Sequence, residues 1–338
     1  MAAGRDGGGR PQTLRGVVQG LLGRMDFFVL LVGGAVLGLA GVFVRLADTT
    51  ASLGPFASAF WRMAIATPFL LAWAAMQWRL ARNSRARAHP PPADGGAHAP
   101  PQWHRARPAP SALLGHWPTW GLGLFAAAMF ALDLVFFHLA VVWTAVGNAT
   151  LESNFAPVLI TLAFWVVTRI APRPAFLAGL AAALGGAALM IGPNVGHSRA
   201  LLGDASGLVS AVFYAAYQVG VQQARQRLAT APLMAMVTGL ATLVLWPFAL
   251  AEGRMWPSAA IGWVWMLGLA LLVQIGGQVV IAYAVRRLNP VLSSVGLLVQ
   301  PAMAVIYAWV LLGEALTPAQ LLGAGLVLAG IYGARRAM

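Results

Sequence analysis

Runs of about twenty apolar residues follow one another through almost the whole chain, and a bilayer-crossing helix needs roughly that many. They fall at 27–46, 56–78, 118–142, 145–168, 175–192, 205–224, 232–251, 258–285, 289–312 and 317–334. The runs at 118–142 and 145–168 are divided near Gly147-Asn148, because one helix across both would be ~75 Å long and would overshoot a bilayer. Composition agrees. Of 338 residues 59% are apolar and only 9% charged, whereas a soluble domain carries about 25% charged residues to clothe its surface. An ordinary cytosolic enzyme is therefore excluded, and the expected fold class is an all-α polytopic membrane protein with ten transmembrane helices. The chain has no Cys, so disulfides, thiolate metal sites and cysteine nucleophiles are excluded too.

All 22 basic residues are Arg, set against 9 acids for a net charge of +13. In a nucleic-acid binder this excess would form a patch; here it sits in short clusters between apolar runs. Arg5, Arg10, Arg15 and Arg24 precede the first span. Arg79, Arg82, Arg85, Arg87, Arg105 and Arg107 follow the second, and pairs lie at Arg169/Arg173, Arg225/Arg227, Arg286/Arg287 and Arg335/Arg336. If the spans alternate, every cluster lies on one side, and the loops of the other side receive only Arg199 and Arg254. The positive-inside rule then places both termini in the cytoplasm and the protein in the inner membrane. Residues 1–25 read as a basic cytoplasmic leader, with the first span as an uncleaved signal anchor. The loop 79–116, which holds Pro90-Pro91-Pro92 and His89, His98, His104 and His116, reads as a disordered cytoplasmic linker. No metal site or cofactor is expected.

Sliding the chain by 144 residues lays 140–186 on 284–330 without a gap. Pro157 meets Pro301, Trp165 meets Trp309, Gly179 meets Gly323 and Gly186 meets Gly330. Spans 4–5 thus correspond to spans 9–10, and the chain divides into two five-span repeats, 26–192 and 203–336. Five is odd, so the second repeat enters the membrane from the opposite side. Inverted repeats around a central cavity are the architecture of secondary transporters. Pro157 and Pro301 each deny a hydrogen bond to the carbonyl four residues earlier, at Ser153 and Leu297, and are expected to kink spans 4 and 9 in mid-course.

Several motifs resemble the drug/metabolite transporter superfamily, specifically its EamA-type ten-span transporters. They are Phe60-Trp61-Arg62 with Ala66, Ala131-Leu132-Asp133 to His138, and Asn148-Ala149-Thr150-Leu151 with Asn154 to Pro157. Gly203-Asp204 with Tyr214 and Tyr217, and Gln300-Pro301 through Trp309, Gly313-Glu314, Pro318, Gly323 and Gly330, complete the match. One departure is that Glu314 has Ile170 opposite it in the first repeat. The resemblance covers about residues 26–336. It implies a basket of helices in which spans 1, 3, 4, 6, 8 and 9 line the cavity and spans 5 and 10 are peripheral. It also implies small-metabolite substrates, such as amino acids and related compounds, moved mostly outward.

A charge at mid-helix costs about 2.5–3.5 kcal/mol on insertion scales, so each one requires a reason. Counting rise per residue from the span ends puts Asp133 about 14 Å and Glu152 about 10 Å deep. Arg62 falls near the same level as a structural charge that balances a titrating acid. Asn148 and Glu152 are four apart on one face, and Asn154 adjoins Pro157. Tyr214, Tyr217 and Gln218 form an aromatic wall with polar tips, while Gln274 and Gln278 share a face and Gln300 precedes Pro301. His138 is a further candidate for the substrate or coupling-ion pathway. The partners expected are a small-molecule substrate and the lipid bilayer, with no nucleic acid; a homodimer is left open. The alternatives are an intramembrane enzyme or a non-transporting receptor or scaffold. A serine protease would need a histidine on a later span, and none follows His197. An aspartyl protease needs two buried aspartates, and a prenyl transferase needs paired Asp-rich loops. No P-loop is present, so transport, unless a partner subunit supplies ATP hydrolysis, has to run on a gradient of substrate, protons or ions.

Overall fold

In the computed structural model the described residues are 14–87, 117–143, 149, 152–191, 198–313 and 318–337. Asn148, the division at Gly147-Asn148, Glu314 and the four loop histidines lie outside them. Every regular element among the described residues is helical. The first half contains α1 (Leu14–Leu37), α2 (Leu39–Ala51), α3 (Pro55–Arg87), α4 (Thr119–Trp143), α5 (Ala156–Thr168) and α6 (Pro174–Ile191). The second begins with α7 (Ser198–Arg225), α8 (Thr230–Ala251) and a continuous rod of α9 (Ile261–Leu267), a π-helix (Gly268–Val279), α10 (Val280–Ala284) and a 3₁₀ turn (Val285–Arg287). It ends with α11 (Pro290–Gly296), α12 (Val299–Leu312) and α13 (Pro318–Arg336). α1 starts inside the stretch read as a leader. α3 runs on to Arg87, so the first nine residues of the loop read as disordered are helical instead.

Six stretches are long and apolar enough to cross a membrane: Met25–Ala51, Pro55–Leu80, Thr119–Val141, Thr230–Ala251, Ile261–Arg287 and Pro290–Leu311. Ala156–Thr168 and Pro174–Gly186 are apolar but shorter. The expected spans 205–224 and 317–334 fall on α7 and α13, which are long enough but less apolar. In α7 the cause is visible. Ser206, Ser210, Tyr214 and Tyr217 recur at three- and four-residue intervals and are turned into the bundle rather than outward. The whole molecule follows this reversed polarity. Arg62, Asp133, Ser210, Thr238, Gln274 and Gln278 are buried, while Leu201, Trp120, Leu322 and Ile170 are about 70% exposed. In water that distribution would be unstable; against lipid tails it is the favourable one.

Four pairings hold the bundle together: α3 on α8, α4 on α7, α6 on α13, and α1–α2 along the rod from α9 to α10. Small residues set the distances. A Cβ on Gly179 would meet the Ala334 nitrogen at 2.5 Å, and one on Gly186 would meet the Gly323 carbonyl oxygen at 2.5 Å, so α6 and α13 touch backbone to backbone. Gly33 approaches the Gly277 carbonyl of the π-helix in the same way, at 3.1 Å.

The two matched prolines do not kink continuous helices. The helix before Pro157 breaks in a turn at Asn154-Phe155, and α5 begins afresh at Ala156 with Pro157 in its first turn. α11 ends at Gly296, a turn occupies Leu297-Leu298, and α12 restarts at Val299 with Pro301 third. Proline is tolerated in a first turn because that N–H has no intrahelical partner anyway. The carbonyl of Leu297 is taken by the Gln300 N–H at 2.9 Å.

Candidate functional site

Four elements send polar side chains to one level of the bundle. α3 contributes Arg62, α4 Asp133, α7 Ser210 and Tyr214, and the π-helix Gln274 and Gln278. Arg62, Asp133, Asn154, Tyr214, Gln278 and Gln300 line one cavity of about 50 Å³, with Phe130 and Leu37 among its apolar walls. Tyr214 and Gln278 also border a second void of about 20 Å³, together with Tyr217 and Gln218. A water needs roughly 10–15 Å³ of such space, so the first cavity has room for a few waters. It is far below the roughly 300–1,000 Å³ of an open ligand pocket.

The charges in the cavity are held apart. Asp133 Oδ1 accepts from the Ser210 hydroxyl at 2.6 Å. Arg62 donates through Nε to Gln274 Oε1 at 3.2 Å, and Gln274 Nε2 donates to the Thr238 hydroxyl at 3.1 Å. Among the described residues the ion pairs are Arg254–Asp48 and Arg287–Asp26, so Arg62 and Asp133 share a cavity without closing on each other. Tyr217 stacks on Phe130 with centroids 4.5 Å apart and on Tyr214 at 6.0 Å. The Tyr214 hydroxyl is buried without a hydrogen-bond partner. Tyr214 and Tyr217 thus stand as a stacked aromatic pair at this level.

Two expected site residues stand elsewhere. His138 is buried, and its Nδ1 donates to the Leu134 carbonyl at 2.7 Å on the same helix. It does not line the cavity. Glu152 does not join Asp133 and Arg62. Its carboxyl faces that of Asp204 on α7 and lies against Gly207. Glu152 Oε2 and Asp204 Oδ1 are both buried without a donor. Ser153, the next residue, comes within 3.4 Å of Ser210 and donates to the Ala149 carbonyl at 2.9 Å. Sequence reasoning passed over Ser210, Ser153 and Thr238. A serine or threonine inside an apolar run is too common a residue to stand out.

Above and below the cavity the bundle is tied. At one end Gln222 Nε2 donates to the carbonyls of Val285 and Leu288, Arg225 Nε donates to Ala282, and Asp26 pairs with Arg287 at 3.7 Å. At the other end Gly54 N–H donates to the Arg254 carbonyl, Ser258 N–H to Ala51, and Trp61 Nε1 to Met255 at 2.8 Å. Glu252 accepts from the Ala57 N–H in the first turn of α3. Burial pushes its carboxyl above the ordinary carboxylate range, against the opposing pull of that N–H and of Arg254.

Residues 201–336 match the EamA-like transporter family. An uncharacterized transporter of Archaeoglobus fulgidus is 25% identical over 313 residues, which is 90% of this chain and 95% of that one. A second uncharacterized transporter of the same organism is 28% identical over 189 residues, 56% of this chain and 66% of that one. A protein of Streptantibioticus cattleyicolor named "Probable terminal-alkyne amino-acid exporter" is 31% identical over 195 residues, 55% of this chain and 62% of that one. A crystal structure of another protein superposes with a TM-score of 0.62 at 17% identity, covering 94% of this chain and 97% of that one; this speaks for the fold alone. With its reversed polarity and its membrane-length helices the chain is a multi-pass membrane protein, similar over residues 201–336 to the EamA-like transporter family and over most of its length to a protein named as a transporter.

Proposed function

We propose that the protein is a secondary active exporter of an amino acid or a closely related zwitterion, working by alternating access. The observation that carries this reading is the pair Arg62 and Asp133, which bring opposite charges to one cavity without neutralising each other. A zwitterion would meet Asp133 with its ammonium and Arg62 with its carboxylate. It would leave its side chain to Phe130, Tyr214 and the amides of Gln278 and Gln300. Charge-assisted hydrogen bonds of this kind contribute about 1.5–3 kcal/mol each. The name of the Streptantibioticus relative, an amino-acid exporter, supports the amino-acid class.

The helical segments form ten spans in two inverted repeats, 26–192 and 203–336. Exchanging the halves carries the α3–α8 and α6–α13 pairings onto themselves, and carries α4–α7 onto the pairing of the rod with α1–α2. Breaks before Pro157 and before Pro301 occupy matching places. These correspondences support two interchangeable halves, as alternating access requires. The arginine-rich end faces the cytoplasm of an inner membrane. Counterflow of radiolabelled amino acids in proteoliposomes tests the substrate class. Accumulation should depend on the unlabelled amino acid trapped inside and should vanish in Asp133→Asn. Failure of all the standard amino acids to exchange would sink the zwitterion reading.

A further inference from the structure

Each serine hydroxyl carries a single hydrogen, and around Ser210 every hydrogen is spoken for. The Ser210 hydroxyl lies 2.6 Å from Asp133 Oδ1, and an ionised carboxylate can only accept, so with Asp133 charged the Ser210 hydrogen goes to it. The Ser153 hydrogen goes to the Ala149 carbonyl at 2.9 Å. The two hydroxyls lie 3.4 Å apart with no hydrogen left over to join them. Ser153 is not an ordinary helical residue. It immediately precedes the turn at Asn154-Phe155 where the helix breaks, and Pro157 can offer its carbonyl no N–H.

We propose that Ser210 is a two-way hydrogen-bond switch that reports the charge of Asp133 to the break before Pro157. With Asp133 ionised, Ser210 donates to it and not to Ser153. When Asp133 binds a proton from the aqueous phase, its carboxyl becomes the donor, and Ser210 Oγ accepts. The Ser210 hydrogen then turns to Ser153 Oγ, 3.4 Å away. One proton on α4 thereby adds a bond between α7 and the broken segment. Ser210 is a positioning residue in this scheme and carries no proton across the membrane. The inference rests on the transporter reading with Asp133 in the cavity, but its test does not require transport.

The groups facing Asp133 are few. Arg62 comes from α3, Tyr214 and Tyr217 from α7, and His138 lies one turn along α4 with its Nδ1 already bonded. α8 places no charged side chain in its span. Nearer the break, Glu152 and Asp204 form the other titratable pair, and the experiment has to separate them from Asp133.

Because the chain has no Cys, a single cysteine at Phe155, which is 37% exposed, takes a polarity-sensitive bimane label. Its fluorescence is followed in nanodiscs while pH is scanned through and above the carboxylate range. The label should respond to pH in the otherwise unaltered protein. Ser210→Ala should abolish the response, whereas Ser210→Thr, which keeps the hydroxyl, should retain it. Asp133→Asn should hold the signal at its low-pH value throughout, since the amide can donate to Ser210 as the protonated acid would. A full response surviving in Ser210→Ala would assign the titration to Glu152 and Asp204 and overturn the switch, as would a label silent at every pH. Amino-acid counterflow on the same preparations reads the transporter proposal independently. A pH response that needs Ser210, without counterflow, would leave the switch standing and remove the zwitterion.

Discussion

Arg62 and Asp133 make each other tolerable in a water-poor interior, so removing one strands the other. Losing one member of a buried charge pair costs on the order of 3–5 kcal/mol, and here the figure falls toward the low end because the two do not touch. Arg62→Met also leaves Gln274 Oε1 without its donor. Thermal unfolding in detergent should show both Arg62→Met and Asp133→Asn destabilised, and the double variant more stable than their sum implies. Strict additivity would mean that the two charges do not sense each other. Glu252 makes a different prediction. Its carboxyl is raised by burial, so the folded protein prefers it protonated. The stability this gives is present below the ordinary value of 4.5 and is lost as pH rises through the raised one. Glu252→Gln keeps an oxygen for the Ala57 N–H and should melt at or above the parent's temperature at neutral pH, with a flatter pH profile. Glu252→Ala should lie about 1 kcal/mol below the Gln variant at every pH, for loss of a helix cap. Arg62 and Asp133 could be matched from sequence because both sit on unbroken helices, where rise per residue measures depth. Glu152 could not, since depth along the helix does not say which way a side chain turns, and its carboxyl faces Asp204.

Proline separates the helices that are broken from those that are merely long. Pro157 and Pro301 stand in first turns, whereas Pro68 lies in the interior of α3 and Pro247 in that of α8. Interior proline costs a soluble helix about 3 kcal/mol, and neighbouring helices in a membrane offset part of this. Pro68→Ala should therefore raise the unfolding midpoint, while Pro157→Ala should shift it little and change the counterflow rate instead. Equal stabilisation by both would place Pro157 back inside a helix. The offset of 144 residues that pairs the two prolines was legible, because glycine, proline and tryptophan at a fixed spacing stand out in an Ala- and Leu-rich background. The breaks were not, since a proline looks the same in sequence whether it kinks a helix or opens one. Nor was the π-helix, whose apolar pattern over Gly268–Val279 differs from that of an α-helix only in the winding of its backbone.

At the scale of the whole molecule, the arginine clusters and the helix pairings point the same way. Arg173, Arg225, Arg227 and Arg287 tie to groups at one end of the bundle, and Arg335 lies over Phe27 there. A cysteine at Ile170, near that end, should be shielded from an impermeant thiol reagent in intact cells, and one at Ala259, near the other, should react. The reverse pattern would invert the protein in its membrane. The contact of α6 with α13 has a further consequence. Two backbones pressed together through Gly179, Ala183, Gly186, Gly323 and Gly330 have no rotamers there to exchange and no crevice that a lipid tail could enter. Gly179→Leu should cost at least about 1–3 kcal/mol through overpacking. A seam of that kind behaves as an axle: it fixes the line about which everything else can turn, and the moving parts of the proposed cycle have to be sought among the remaining helices.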